Sequence, residues 1–292
     1  MKYKQWRELV IDPYEIPFKT FKLIKITNYL PAGNDVLECL CDFNGKNKKV
    51  IIKIERSKMA DFDSEFCNLN TLWQKNYYNK IPKILEFGTY KEKRYLVISK
   101  INGLRLSEVL PKQPKKKKNY LINYGMSLGT IHSIPSKDFK EAKQRPINNI
   151  PTENIYQKYD NFIKKYIKYL EDNKININHN CFIHGDFHYA NLLWKNDTIS
   201  GIIDFEYSGK GFKEQDIAWA LILRPGQKFM NNYKDIKYFL EGYKKTGNYD
   251  ERSLKWCLIN GYCHFYLMNI KNITYKNEIK KLLNVIINKN LW

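Results

Sequence analysis

The feature that most constrains this chain is a change of hydrophobic period close to Asn102 and Gly103. Before it, apolar residues alternate in short runs. "KLIKITNYL" (22–30), "VLECLCDF" (36–43) and "KVIIKIE" (49–55) read as three strands. "LPAGND" turns the chain between the first two, and "NGK" (44–46) is a hairpin signal between the second and third. "KILEFGTY" and "RYLVISKI", joined by "KEK", read as a further hairpin. One stretch departs from this pattern. In "DSEFCNLNTLWQK" (63–75), Phe66, Leu69, Leu72 and Trp73 recur at helical spacing, with Asp63 or Ser64 as N-cap.

After Gly103 the apolar residues recur at three and four. "NYLINYGMSLGTIHSI", "IYQKYDNFIKKYIKYL", "EQDIAWALIL", "YKDIKYFLEGY" and "SLKWCLINGYCHFYLMNI" all read as helices. Strands and loops return only over roughly residues 181–208. This predicts an α+β, two-lobe chain: a small N-terminal antiparallel β-sheet lobe with one helix, then a larger, mostly helical C-terminal lobe. The expected division is 1–98, a hinge at 99–103, and 104–292.

Composition excludes several classes. With 43% hydrophobic residues in 292, the chain can bury a core and is not a disordered one. No apolar run is long enough to span a bilayer, and the N-terminus carries no apolar signal core, so a cytoplasmic protein is expected. The six cysteines form no CxxC pair and read as reduced thiols. The net charge of +20 is spread along the chain. Its densest run, "PKQPKKKK" (111–118), has no interleaved aromatics and reads as a solvated loop, so no specific nucleic-acid partner is expected. The charge does suit a chain that handles nucleotide phosphates.

The chemistry concentrates in "CFIHGDFHYANLLW" (181–194). His184 and His188 are four apart, as in a zinc helix, but Gly185 disfavours a helix there and no second ligand cluster is near. No GxSxG and no Ser or Cys beside either histidine points to a nucleophile. Phosphoryl transfer explains the residue types. Asp186 is followed after five residues by Asn191, and Asp204 comes 13 residues later at the end of "ISGIID". An acceptor hydroxyl needs a carboxylate to take its proton. The nucleotide's magnesium needs hard oxygen ligands, and an amide and a carboxylate supply them.

"IHGDFHYANLLW" with "GIIDFEYSGKGFKEQDIAWAL" resembles the aminoglycoside phosphotransferase family, marked by HGDxxxxN, a following IDF segment and a D-I-A motif. The resemblance implies a two-lobe protein-kinase-like fold. It implies Asp186 as catalytic residue, Asn191 and Asp204 as Mg2+ ligands, and His184 and Asp216 as supports of the loop. Asp216 alternatively reads as an acid at a helix N-terminus. His188 has no fixed family role and is a candidate on the substrate side or an ordinary surface histidine.

In the N-terminal lobe, Lys53 in "VIIKIE" matches the lysine that holds the α- and β-phosphates, and Glu65 the acid that pairs with it. The alternatives are an exposed lysine on an alternating strand and simple first-turn dipole compensation. Gly33 and Asn34 in "LPAGNDV" stand in the nucleotide loop, and the backbone at Ser99, Lys100 and Ile101 stands where the family holds the purine. The implied donor is ATP or GTP. The implied partners are that nucleotide and a small-molecule hydroxyl acceptor, with the chain a monomer.

The chain departs from protein kinases. It has no GxGxxG, Glu206 follows "DF" where they have glycine, and no APE segment is present. A small-molecule kinase is therefore expected, with an aminoglycoside-type antibiotic as the leading acceptor and a sugar, amino alcohol or nucleoside as the alternative. A catalytically silent binding protein is the rival from another class. Acids are few after Asp204, which leaves a neutral or anionic acceptor in contention, although a local acidic pocket can form on a basic chain. Glu206 and Glu241 are the candidates for contacting a cation. Tyr207, Trp256, Tyr262, His264 and Tyr266 are candidates for lining an acceptor pocket, with packing in the core as the alternative for aromatics at helical spacing.

Overall fold

The computed structural model describes residues 4–57, 60–152, 160–269 and 271–288. It divides into two compact units, Met1–Gly103 with Ser200–Glu206, and Leu104–Ile199 with Tyr207–Trp292. The short segment carrying Asp204 thus belongs with the N-terminal unit, although it follows nearly a hundred residues of the other.

The first unit holds β1 (Lys22–Leu30), β2 (Asp35–Phe43), β3 (Lys46–Ile54), α1 (Phe62–Gln74), β4 (Ile84–Tyr90) and β5 (Lys93–Ser99). The strands form one antiparallel sheet in the order β1-β2-β3-β5-β4. Asn44 and Gly45 both take positive φ (52° and 82°), the backbone that a two-residue hairpin needs. Alternation then sorts the residues of β2 and β3. Leu37, Cys39, Cys41, Val50, Ile52 and Ile54 are fully buried in one core. Each aliphatic there contributes roughly 1.5–3 kcal/mol. Burial pushes the Cys41 thiol up to about 12, so it packs as a small hydrophobe. The same alternation turns Lys53 to the opposite face from Ile52 and Ile54.

Helix α1 lies against β4 and β5, with Leu69 and Leu72 buried and Phe66 stacked on Phe87. Its N-cap is Asp61, whose carboxylate accepts from the Ser64 N–H at 3.0 Å, and not Asp63 or Ser64. Strand β3 also begins three residues before the expected 49, at Lys46, because the lysines there continue the ladder with β2 as an exposed end.

The second unit is mostly helical: β6 (Leu104–Arg105), α2 (Leu106–Val109), α3 (Lys117–His132), α4 (Asn161–Asp172), β7 (Cys181–Ile183), β8 (Leu192–Lys195), β9 (Thr198–Ile202), β10 (Gly209–Gly211), α5 (Lys213–Leu221), α6 (Tyr233–Tyr243), α7 (Glu251–Met268) and α8 (Ile273–Asn288). Strand β9 starts in this unit and ends in the other. Helix α3 packs on α6, and α5 on α7, which also touches α4 and α8. Helix α8 is not among the helices expected from sequence, although Tyr275, Ile279, Leu282, Leu283 and Ile286 form its buried stripe. The helix expected over 155–170 is described from Asn161 onward; residues 155–159 lie outside the described residues.

The lysine run is not a free loop. Residues 114–116 form a single 3-10 turn and Lys117 opens α3. Lys116 pairs with Asp197 (2.5 Å) and Lys117 with Asp235 (2.6 Å). Among the described residues no helix is long and apolar enough to cross a membrane.

Candidate active site

In the first unit, Lys53 and three carboxylates, those of Glu65, Asp204 and Glu206, form one cluster. The lysine is only 7% exposed, at the buried end of β3, and Glu65, in the first turn of α1, is fully buried. Lys53 Nζ pairs with Glu65 Oε2 and lies 3.0 Å from Asp204 Oδ1. The exposed-lysine alternative is thereby excluded. Burial disfavours the ammonium, but Asp204 and Glu65 outweigh it and hold the Lys53 pKa above its ordinary value. Burial pushes Glu65 upward, against the pull of Lys53.

Asp204 follows β9 in a left-handed conformation (φ 71°), which is uncommon for a residue with a side chain. Glu206 is buried too, and its Oε1 accepts from the Asp61 N–H at 2.9 Å, at the start of α1. It is therefore held at this cluster, with one oxygen engaged at the start of α1.

Glu65, Asp204 and Glu206 can each present a carboxylate oxygen within 4.8 Å of the others. Three carboxylates against one lysine leave a deficit of positive charge. Glu65 Oε1 is moreover buried without a hydrogen-bond partner. Hard oxygens, excess negative charge and an orphaned buried oxygen fit a divalent cation such as Mg2+.

The nucleotide-loop residues are differently employed. The Asn34 side chain accepts from the N–H groups of Arg56 (3.1 Å) and Ser57 (3.3 Å), and the Gly33 and Asn34 carbonyls accept from Arg7. Both arginines also pair with the fully buried Asp35. The Asn34 side chain and both carbonyls thus hold the loop as a clip inside its own unit. At the hinge, the Ser99 N–H donates to the Lys83 carbonyl (2.8 Å), and Lys100 pairs with Glu38 (2.6 Å).

In the second unit, the stretch between β7 and β8 is a loop closed by a 3-10 turn, Tyr189–Asn191. Phe182, Phe187 and Leu192 anchor it in the core, each fully buried. Asp216, in the first turn of α5 and 2% exposed, accepts from the N–H groups of His184 (2.8 Å) and Gly185 (3.1 Å). His132 lies behind it, with Nε2 3.2 Å from Asp216 and Nδ1 2.6 Å from the Tyr243 hydroxyl. The buried His184 accepts the Asp186 N–H at Nδ1 (3.2 Å), and His188 caps the 3-10 turn by accepting from Ala190 (3.3 Å).

These bonds aim Asp186. Its Oδ1 accepts from Trp219 Nε1 (2.9 Å) and lies 3.0 Å from Arg145 Nη2. Its Oδ2 accepts from Asn191 Nδ2 (3.1 Å), with His188 Nε2 at 3.6 Å. Burial alone would raise its pKa; His188 and Arg145 outweigh it and hold the carboxyl at about 2.

Sequence reading missed Arg145, Trp219, His132 and Tyr243. Trp219 was detectable, since it follows Asp216 by three residues on α5 and so shares its face. Arg145, in a loop, leaves no periodic signal.

The remaining candidates lie elsewhere. Trp256, Tyr262, His264 and Tyr266 are buried core of α7, corrected from acceptor-pocket residues. Glu241 sits on α6 facing Lys118 at 3.9 Å, and no described contact brings it to the Asp186 loop. Tyr207 does lie beside the loop, its ring 3.7 Å from the Arg145 guanidinium.

Gly185 has φ 73°, and a Cβ there would stand 2.1 Å from the Tyr207 carbonyl oxygen. Gly185→Ala should therefore cost about 2–4 kcal/mol, read as a lowered thermal midpoint. An unchanged midpoint would show that the loop tolerates another path.

Known proteins share the family and the fold of this chain. The model of the phosphotransferase enzyme family matches residues 42–250. A curated relative, an aminoglycoside 3′-phosphotransferase of Niallia circulans, is 26% identical over 181 residues, which is 57% of this chain and 66% (just under two thirds) of that enzyme. An ADP-bound crystal structure of the aminoglycoside phosphotransferase APH(2″)-Ib superposes with a TM-score of 0.57 at 17% identity, covering 90% of this chain and 93% of that one. The choline kinase LicA of Streptococcus pneumoniae gives 0.57 at 17% identity, covering 92% and 95%. The fold is the two-lobe, protein-kinase-like one.

Proposed function

We propose that this chain, which belongs to the phosphotransferase enzyme family, moves the γ-phosphate of ATP or GTP to a hydroxyl of a small molecule with Mg2+ as cofactor. The observation that carries this reading is Asp186: a carboxylate kept ionised, its two oxygens oriented by Trp219 and Asn191. In the reaction the acceptor oxygen bonds to the γ-phosphorus, the bond to the β–γ bridging oxygen breaks, and the nucleoside diphosphate leaves. The hydroxyl proton passes to Asp186. A carboxyl held at about 2 is a weak base, so its main work is to orient the hydroxyl.

Mg2+ supplies charge neutralisation on the phosphates when bound. Asp204 and the Asn191 amide oxygen are its proposed ligands; Asn191 Nδ2 is already directed at Asp186. Lys53, held by Glu65, reaches the α- and β-phosphates. The purine contacts fall to the backbone of Lys100 and Ile101, because the Ser99 N–H is bonded to Lys83.

The curated relative supports an aminoglycoside-type acceptor, with antibiotic resistance as the consequence. The choline kinase likeness is of fold alone and leaves a sugar or other metabolite alcohol as the alternative. Nucleotide consumption with ATP and GTP over aminoglycosides, sugars and amino alcohols tests the reading. No consumption with any acceptor would overturn it. Asp204→Ala should remove the magnesium-dependent part of nucleotide binding, measured by calorimetry; unchanged binding would overturn that ligand role.

A further inference from the structure

We infer that Arg145 is the acceptor-reading residue, and that the acceptor carries an oxyanion, carboxylate or phosphate, next to the hydroxyl that is phosphorylated. The inference rests on the assignment of Asp186 as the group that meets the acceptor, and within that reading it takes the metabolite-alcohol alternative over the aminoglycoside.

Both oxygens of Asp186 are occupied. Trp219 and Asn191 make well-formed hydrogen bonds, at 2.9 and 3.1 Å. The other two partners are weaker. His188 Nε2 is too far for a hydrogen bond, at 3.6 Å. Arg145 Nη2 is 3.0 Å from Oδ1, close enough for charge attraction, yet this buried nitrogen makes no directed hydrogen bond. An ionised carboxylate accepts more than two bonds, so an arriving hydroxyl can join Trp219 and Asn191 on Asp186, and the misdirected guanidinium nitrogen beside Oδ1 is the contact with a bond to gain elsewhere.

Arg145 is built to remain in place while its partner changes. Its guanidinium carbon lies over both the Tyr207 ring (3.7 Å) and the Trp219 ring (4.4 Å), and its Nε donates to the Gly185 carbonyl (3.2 Å). Stacking fixes the fork and leaves the edge for a ligand. An oxyanion offers that edge two parallel bonds where Asp186 offers one poor contact. Once Arg145 turns to the oxyanion, Oδ1 is left to the hydroxyl. The swap spans only one guanidinium edge, so the oxyanion belongs on the carbon next to the hydroxyl or one beyond.

The surroundings agree. The cleft beside Arg145 is also lined by Lys143, Gln215 and Trp219. Its one carboxylate among the described residues, Asp216, already accepts from the His184 and Gly185 N–H groups. Arg224 stacks on Trp219 as well, at 4.7 Å. A polyamine would meet Lys143 and Arg145 here, with Asp186 as the one nearby carboxylate not already bonded to the loop N–H groups.

A matched set of small hydroxyl compounds tests this on the full chain: glycerate, glycerol 3-phosphate, glycerol and 3-aminopropane-1,2-diol, with gentamicin added. Binding is measured by ligand-observed NMR, and nucleotide binding and consumption are followed separately. At least one oxyanion probe should bind about tenfold more tightly than glycerol, with the amine no better than glycerol. Which of the two oxyanions binds more tightly identifies carboxylate or phosphate as the source.

Arg145→Met should reduce the preference to about threefold or less, Arg145→Lys should retain part of it, and Lys115→Met, at an exposed lysine, should leave it unchanged. Arg145→Lys keeps the test open if the methionine variant fails to fold. Equal binding of glycerol and both oxyanions, tighter binding of the amine or gentamicin, or an undiminished preference without Arg145 overturns the inference. Absent nucleotide consumption with these probes and with the aminoglycosides, sugars and amino alcohols alike, while oxyanion binding is intact, would instead overturn the kinase reading.

Discussion

Asp186→Asn is expected to lower acceptor phosphorylation about 100- to 10,000-fold while nucleotide affinity changes by less than about twofold. Asparagine has the size of aspartate and keeps one oxygen for Trp219 Nε1, which donates to Oδ1 at 2.9 Å. Its other end becomes an NH2 group facing the Asn191 Nδ2 that donates to Oδ2. Two donors then oppose each other. No anionic oxygen remains to orient a hydroxyl or take its proton. The nucleotide should be little affected, because Lys53, Glu65 and Asp204 belong to the other unit. The measurement is kcat beside calorimetric nucleotide affinity on one preparation, with a melting curve to confirm folding. Turnover within about tenfold of the parent would remove Asp186 from the proposed role.

The loop also shows what the sequence carried and what it did not. Asp186 and Asn191 were readable because the spacing of five residues is set locally: the 3-10 turn at 189–191 brings the Asn191 amide back to Asp186. Strands β1 to β5 were readable for the same reason, since alternation and the Asn44-Gly45 turn act over a few residues. The misses are tertiary. Nothing near residue 145 in the chain announces that its guanidinium lies over both Tyr207 and Trp219. The clip of Arg7 and Arg56 on Asp35 likewise joins residues 28 and 21 positions apart.

Glu206 has a tertiary contact that the sequence does not announce, for a related reason. A glutamate after "DF" looks available for a ligand until the fold brings the Asp61 N–H to it. The α1 cap was placed two residues late because Asp61 and Asp63 are chemically equivalent in the sequence. Only the bond to the Ser64 N–H distinguishes them.

Lys53→Met should be the most destabilising single change in the N-terminal unit, costing about 3–5 kcal/mol, and it should also weaken nucleotide binding. Methionine fills the space of the lysine stem but leaves fully buried Glu65 beside Asp204 and buried Glu206 with no cation among them. The penalty comes from the charge left behind more than from the bond removed. That origin makes it separable. Glu65→Gln in the Lys53→Met background should recover about half or more of the lost stability, because the orphaned charge is gone, while nucleotide binding stays weak.

The pH dependence has a definite sign. Burial already raises Glu65, and losing Lys53 raises it further. A carboxyl whose folded pKa exceeds its unfolded one binds more protons when folded, so stability falls as pH rises between the two values. The melting deficit of Lys53→Met should therefore narrow as pH is lowered toward the ordinary range of a glutamate, and Glu65→Gln should abolish that narrowing. A deficit that is constant with pH and is not relieved by Glu65→Gln would mean that Lys53 stabilises the unit by packing, for instance over the Phe62 ring 5.3 Å from its Nζ, and not by neutralising the cluster.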